Sequence, residues 1–265
     1  MLKDSIWIVT DLDGTLMDHN YDIEPAIKTL KWIIKEGINL IPCTSKTAAE
    51  VENFRSKLGL SSPYIVENGG AIYGINKDLY GISEYALGKT HDELKPFLIK
   101  LSKQIGEELF PFEDLSHSEI TRLTGLKGAE IELAVARLWS VPFLNPSKNA
   151  LKELQKISLI YGLDVVQGNR MSHLIDKRSG KGQAINKLKG IMKKPNIKVI
   201  GLGDSPNDRS LLEIANISIV VPSPQGPNNC FVKEIKSGKF ILAPAPNAEG
   251  WSQSVEMILR QQLVG

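Results

Sequence analysis

The chain has 265 residues, 42% of them hydrophobic, and a formal charge of +2 with acidic and basic residues interspersed. That length suffices for one large core or two modest ones. The charge pattern lacks the basic stripe of a nucleic-acid binder, and no apolar run is long enough to span a bilayer.

Cys43 and Cys230 are too few for a disulfide framework and no Cys/His cluster suggests zinc, so a reducing cytoplasm is the expected setting. Asp4 stands just before the first apolar run and no small-residue cleavage site is present, so no signal peptide is expected. Ile6–Thr10 is β-branched and apolar, as in a buried strand. It leads into Asp11-Leu12-Asp13-Gly14-Thr15. Glu24–Glu36 carries Ile27, Leu30, Ile33 and Ile34 at helical spacing, with Gly37 as a stop. Ile38–Cys43 reads as a second strand ending at Thr44-Ser45-Lys46, and Thr47–Leu58 as a helix closed by Gly59. Pro63–Glu67 reads as a third strand running into Asn68-Gly69-Gly70. Strand, helix, strand, helix, strand is the order of a doubly wound, Rossmann-like parallel sheet, in which functional groups collect at the carboxyl ends of the strands.

From about residue 82 the rhythm changes. Glu93–Ile105 and Ser118–Arg137 read as helices, Trp139–Leu144 as a strand, Lys148–Tyr161 as a helix, and Leu163–Gln167 and Met171–Ile175 as strands. The expectation is an α/β protein with a core of residues 1–82 and 178–265 and an inserted α+β cap of residues 83–177. The sheet pattern then resumes with helix Lys181–Met192, strand Ile197–Gly201, helix Arg209–Ala215, strands Ile217–Val221 and Phe240–Leu242, and a closing helix from Ala248 to Leu263.

Four polar sites fall at strand or helix ends. Along an extended backbone, Asp11 and Asp13 share one side, and paired carboxylates repel unless a cation or a proton sits between them. Taken alone, the pair fits either a solvated strand-to-turn junction or a site for a hard metal and acid–base chemistry. Thr44 offers a hydroxyl and nearby backbone N–H groups to an anion; by itself it reads more readily as a strand cap, and the company of the other sites favours the anion role. Lys181 lies between Gly180 and Gly182 at a helix start, and Asp204 with Asp208 at another strand end. Acidic groups suit Mg²⁺, which prefers oxygen ligands and keeps several waters, while Lys and a hydroxyl suit phosphate oxygens. Together they outline phosphoryl transfer. Asp11 would attack phosphorus and form an aspartyl-phosphate. Asp13 would donate a proton to the leaving group and later deprotonate water.

These residues resemble the haloacid-dehalogenase superfamily: Asp-X-Asp-Gly-Thr, a strand-end Thr, a Lys and Gly-Asp-X-X-Asn-Asp occur in that order. The resemblance covers nearly the whole chain. It implies Asp11 as nucleophile and Asp11, the Asp13 carbonyl and Asp204 as Mg²⁺ ligands, with Asp208 supporting the metal waters or Lys181. Within the superfamily, Thr44-Ser45-Lys46-Thr47, Val66-Glu67-Asn68-Gly69-Gly70, Gly203–Asp208, Gly250-Trp251 and, in the cap, Gly168-Asn169-Arg170 with His173 resemble the mannosyl-3-phosphoglycerate phosphatases. The expected partner is therefore a small phosphorylated sugar conjugate. Met171-Ser172 replaces two aromatics usual in that group, which keeps glucosyl-3-phosphoglycerate a candidate beside the mannosyl compound. The lysine motif, Lys177–Gly182, is longer than usual; Lys181 is preferred to Lys177 because its flanking glycines suit close approach.

Ser45, Lys46, Asn68, Gly69, Arg170, His173 and Asn207 are the candidate substrate contacts. A cation such as Lys46 at a helix N-terminus suits an anionic ligand, and Arg170 suits a glycerate carboxylate. Trp139 and Phe143 read as cap core, Glu130 and Glu132 as a solvated helix face. A broader sugar phosphatase, acting on sucrose phosphate or hexose phosphate, and a phosphohexomutase share these features. A phospho-accepting signalling receiver lacks Asp-X-Asp, is shorter, and carries no cap.

Overall fold

In the computed structural model, which describes residues 5–264, the first strand runs over Ile6–Thr10 (β1) and all five residues are buried. Asp4 lies outside the described residues. Successive side chains of a strand point to opposite faces, and here each face is covered. Ile6 and Ile8 join one apolar cluster, Trp7 and Val9 another. That is why the run shows no alternation of apolar and polar residues.

Four further strands lie parallel with β1: Asn39–Pro42 (β2), Lys198–Gly203 (β9), Ile217–Val220 (β10) and Ile241–Leu242 (β11), in the order β11-β10-β9-β1-β2. Helices Ile27–Lys35 (α1), Ala48–Leu58 (α2) and Asn247–Val264 (α11) supply the first face with Leu30, Ile33, Val51, Phe54, Trp251 and Val255. Lys181–Ile191 (α8) and Arg209–Ile214 (α9) supply the other with Ala184, Ile185, Leu188 and Leu211. Each large apolar side chain removed from water contributes about 1.5–3 kcal/mol. Trp251 is fully buried and its indole N–H donates to Thr10 Oγ1 at 2.9 Å, so α11 is pinned to the end of β1.

The expected third parallel strand shortens to Tyr64–Val66 (β3) and meets β2 at a single parallel bridge between Cys43 and Ile65. It pairs instead, antiparallel, with Ala71–Tyr73 (β4), which pairs with Tyr85–Ala86 (β5). This hairpin and the short helix Lys77–Tyr80 (α3) go unmarked in the sequence pattern, because the strands have only two or three residues and show no readable period. The same is true of the five-residue helix Val232–Lys236 (α10).

Between β5 and α8 the chain builds a second sheet, Val141–Leu144 (β6), Leu163–Gln167 (β7) and Met171–Asp176 (β8), antiparallel in the order β6-β8-β7. Helices His91–Ile105 (α4) and Lys148–Ile160 (α7) cover it through Leu94, Leu98, Leu101, Leu151 and Leu154. The single helix expected over Ser118–Arg137 is two, His117–Thr124 (α5) and Ala129–Val135 (α6). Gly125 takes φ +82° as the cap of α5, and Gly128 takes +52° before α6. Phe143 is fully buried in the second sheet's core. Trp139, expected there too, packs on the main-sheet core and donates from Nε1 to Tyr73 at 3.0 Å. Among the described residues, no helix is long and apolar enough to cross a membrane.

Candidate active site

The carboxyl ends of β1, β2 and β9 open onto a cavity of about 490 Å³ whose lining includes Asp11, Asp13, Ser45, Lys46, Asp204 and Asn207, with Arg137, Asn169, Arg170 and His173 from the second unit, the β6-β8-β7 sheet with helices α4–α7. Asp11 follows β1 directly; its backbone N–H continues the ladder to Leu202 at 3.0 Å, which holds the residue in place. Asp13 lies in the same cavity, as the two-residue spacing predicts. Between and beyond them, Gly14 takes φ +85°, and a Cβ there would lie 2.5 Å from Asp204 Oδ2. Only glycine accepts both the turn and the close approach.

Beneath the cavity floor, Lys181 Nζ contacts Asp11 Oδ1 at 2.7 Å and Asp208 Oδ1 at 2.5 Å, and its side chain is fully buried. Burial alone would discharge the ammonium, but Asp11 and Asp208 outweigh it and raise the Lys181 pKa. Lys177, the other candidate, is exposed at the end of β8. Asp208 Oδ2 also accepts the backbone N–H groups of Asp204 and Ser205, both at 3.0 Å. Among the described residues, Asp204 has only neutral partners: Thr15 donates to Oδ1 at 2.9 Å and Asn169 to Oδ2 at 2.6 Å. Burial, then Asp208 and Asp11, push its pKa well above the usual range. Burial also raises Asp11, against the pull of Lys181 and with the repulsion of Asp208.

Donor oxygens of Asp11, Asp204 and Asp208 all lie within 4.8 Å of one another. These three buried carboxylates share one ammonium, Lys181, so their full ionisation would leave an excess of negative charge in a low-dielectric setting. An all-oxygen donor set with that excess fits a hard divalent cation. Asp13 stands apart from the cluster, with Oδ2 at 3.1 Å from Lys46 Nζ and Oδ1 buried without a partner.

The remaining candidates separate into two layers. Ser45, Lys46, Arg170, His173 and Asn207 line the cavity. Thr44, Asn68 and Gly69 are buried behind it. The Thr44 hydroxyl accepts from the Lys46 N–H at 3.3 Å. Asn68, with φ +58°, accepts from Asn207 Nδ2 at 2.9 Å. A side chain on Gly69 would strike the backbone of Gly180, so this glycine lets the loop after β3 rest on the start of α8. Lys46 is shared between Asp13 and Glu50 Oε1, the latter at 3.2 Å, and lies 4.7 Å from the Tyr21 ring. Arg170 donates from Nη1 to the Tyr21 hydroxyl and to Thr124 O, both at 3.2 Å. His173 is 4% exposed. Burial, then the charges of Arg137 and Lys181, push its pKa down to about 3, so the ring is neutral.

Several functional-site residues lay outside the sequence-based candidates. Thr15 and Asn169 clamp Asp204; Thr15 belongs to the Asp-X-Asp-Gly-Thr motif and Asn169 adjoins Arg170, so proximity to a motif was their signal. Tyr21, Glu50 and Arg137 come from three distant parts of the chain, the segment before α1, helix α2 and the stretch before β6, and only tertiary packing brings them to one cavity. Arg137 Nη1 donates to Ser45 O at 2.5 Å and Nε to Ala134 O at 2.8 Å.

A doubly wound sheet with an acidic cluster and a buried lysine at its strand ends defines a hydrolase of the haloacid-dehalogenase type. The chain belongs to the haloacid dehalogenase-like hydrolases, whose family model matches residues 8–115 and 146–223. It is 34% identical to a glucosyl-3-phosphoglycerate/mannosyl-3-phosphoglycerate phosphatase of Persephonella marina, over 96% of this chain and 97% of that one. A protein of the same description from Methanococcoides burtonii is 32% identical over 94% and 95%. With relatives of this kind along its length, the chain falls in the class of phosphoric monoester hydrolases. Its fold is also that of a haloacid dehalogenase-like hydrolase from B. subtilis, with a TM-score of 0.67 at 18% identity over 91% of this chain and 95% of that one.

Proposed function

We propose that the protein is a Mg²⁺-dependent phosphatase releasing hexosylglycerate from glucosyl- or mannosyl-3-phosphoglycerate. The observation that carries this reading is the meeting of Asp11, Lys181, Asp204 and Asp208 at one strand-end floor, with Asp13 beside them in the cavity. The names of the two relatives support the substrate class. So does a cavity walled by Lys46, Arg137 and Arg170, which suits a conjugate carrying both phosphate and carboxylate. Asp11, Asp204, Asp208 and the Asp13 carbonyl are the groups that would hold Mg²⁺. When bound, the cation supplies positive charge against the phosphoryl oxygens.

Asp11 is the nucleophile. Its carboxylate oxygen forms a bond to phosphorus as the bond from phosphorus to the glycerate C3 oxygen breaks. Asp13 gives its proton to that departing oxygen, then takes one from the water that cleaves the aspartyl-phosphate and returns Asp11. Lys181 favours the ionised form of Asp11 against its burial and, with Thr44 ordering the loop after β2, faces the phosphoryl charge. Residues 83–177 act as a cap whose cavity-lining residues Arg170 and His173, opposite Ser45, Lys46 and Asn207, select the substrate and limit water.

The test is kcat/KM across glucosyl- and mannosyl-3-phosphoglycerate, sucrose phosphate and hexose 6-phosphates, with Mg²⁺ and with chelator. The two phosphoglycerate conjugates should be preferred by at least about 10-fold, the scale of one hydrogen bond to a charged group, and chelator should abolish turnover. Equal rates on hexose 6-phosphate would remove the substrate assignment. Full activity in chelator would remove the mechanism.

A further inference from the structure

The turn between β7 and β8 carries Gly168, Asn169 and Arg170 from the second unit to the main sheet. Asn169 Nδ2 reaches Asp204 Oδ2 at 2.6 Å, a short hydrogen bond between residues on different units. Much of Asn169 is exposed, so its side chain comes to Asp204 from the cavity side. Gly14 leaves room for this approach: a Cβ there would lie 2.5 Å from Asp204 Oδ2 and 3.3 Å from Asn169 Nδ2. The other Asp204 oxygen is held by Thr15, which belongs to the main-sheet unit. Asp204 thus has one donor from its own unit and one from the second unit.

We propose that Asn169 is a positioning residue whose amide completes the orientation of Asp204, so that cation binding by the acidic cluster and seating of the second unit are coupled. This rests on the reading of Asp204 as a metal ligand. Partners that orient a metal-binding carboxylate are worth 10- to 100-fold in metal affinity, and a coupling of two events acts equally in both directions. Mg²⁺ should therefore hold the β7–β8 turn in place, and loss of the Asn169 amide should weaken Mg²⁺ binding.

The experiment is calorimetric titration of the full chain with Mg²⁺ alone, paired with hydrogen exchange over residues 167–171, for the parent, Asn169→Ala and Thr15→Val. Asn169→Ala should weaken Mg²⁺ binding about 10- to 100-fold, and Mg²⁺ should no longer slow exchange in the turn. Thr15→Val should also weaken binding while the remaining bound Mg²⁺ still protects the turn. In turnover, the Mg²⁺ concentration for half-activation should rise in Asn169→Ala more than KM measured at saturating Mg²⁺. Unchanged Mg²⁺ affinity with a raised KM would overturn the inference, making Asn169 a substrate contact, and leave the phosphatase reading standing. A parent chain that binds no Mg²⁺ would overturn both.

Discussion

Lys181 is the residue on which the candidate site balances. Its ammonium sits between two buried carboxylates, with Asp204 nearby and, among the described residues, paired with no cation. Removing one partner of a buried ion pair costs about 3–5 kcal/mol because the remaining charge stays desolvated. Lys181→Met should therefore lower stability by about that much in metal-free buffer, and added Mg²⁺ should recover part of it by binding the folded state. Denaturant unfolding with and without Mg²⁺ measures both; equal stability of parent and variant would mean that water reaches the cluster. Asp11→Asn is the complementary change. It leaves the volume almost unaltered yet should cut phosphate release by roughly 10³-fold or more, the scale of losing a nucleophile. Retained turnover would deny Asp11 that role.

At the scale of elements, α4 is tied to the turn before α5 by charge. His91 Nε2 lies 2.9 Å from Glu113 Oε1, and Lys95 Nζ lies 3.2 Å from the same oxygen. Burial raises the Glu113 pKa, but the His91 hydrogen bond and its charge outweigh that and bring it down from 4.5 to about 2. The Glu113 hydrogen bond raises His91 above 6.5 against its own burial. Glu113 is lowered on folding, so its contribution is present above about pH 4.5 and fades as pH falls toward 2. His91 is raised, so its contribution is present below 6.5 and fades as pH rises through the folded value. Glu113→Gln should therefore cost most between those limits, about 1–3 kcal/mol for hydrogen bonds to a charged group. Unfolding midpoints of parent and variant across pH 3–8 test it. A gap independent of pH would show that packing, and not charge, holds the turn.

For the whole molecule, side-chain hydrogen bonds at several points join the two units. Glu67, 1% exposed and at φ +48°, accepts from the backbone N–H groups of Leu138 and Trp139 at 2.9 and 3.0 Å and from the Ser140 hydroxyl at 2.7 Å. The Thr47 hydroxyl adds a bond to Leu133 O at 2.7 Å. Asn169 donates to Asp204, and the Tyr21 hydroxyl donates to Thr124 O at 2.8 Å. Glu67→Ala would strand three donors at once, each costing about 1–3 kcal/mol if it stays buried. The expected result is faster amide exchange at residues 138–140 and a KM raised several-fold for sugar phosphates, with Glu67→Gln in between. Unchanged exchange at Leu138 and Trp139 would mean that the second unit is seated by apolar packing alone.

How much could be read in advance follows the range of the forces. The sequence by itself determined the parallel-sheet class, because β1 and its neighbours are apolar on both faces. It also marked Asp11, Asp13, Lys181, Asp204 and Asp208 as candidates, because each lies near a strand end or a helix start in a glycine-containing motif, and the structure brings Asp11, Lys181, Asp204 and Asp208 together. These are local signals, carried within a few residues. The choice of Lys181 over Lys177 followed from its glycines, and the structure has Lys181 buried at the cluster and Lys177 in solvent. Only the tertiary structure decided that Lys46 faces Asp13, that Glu67 grips residues 138–140, that Trp139 packs on the main core, and that Asn169 reaches Asp204. Those contacts join segments far apart in the chain. Their partners meet because elements around the second sheet pack against those of the main sheet, and no short-range periodicity records that meeting.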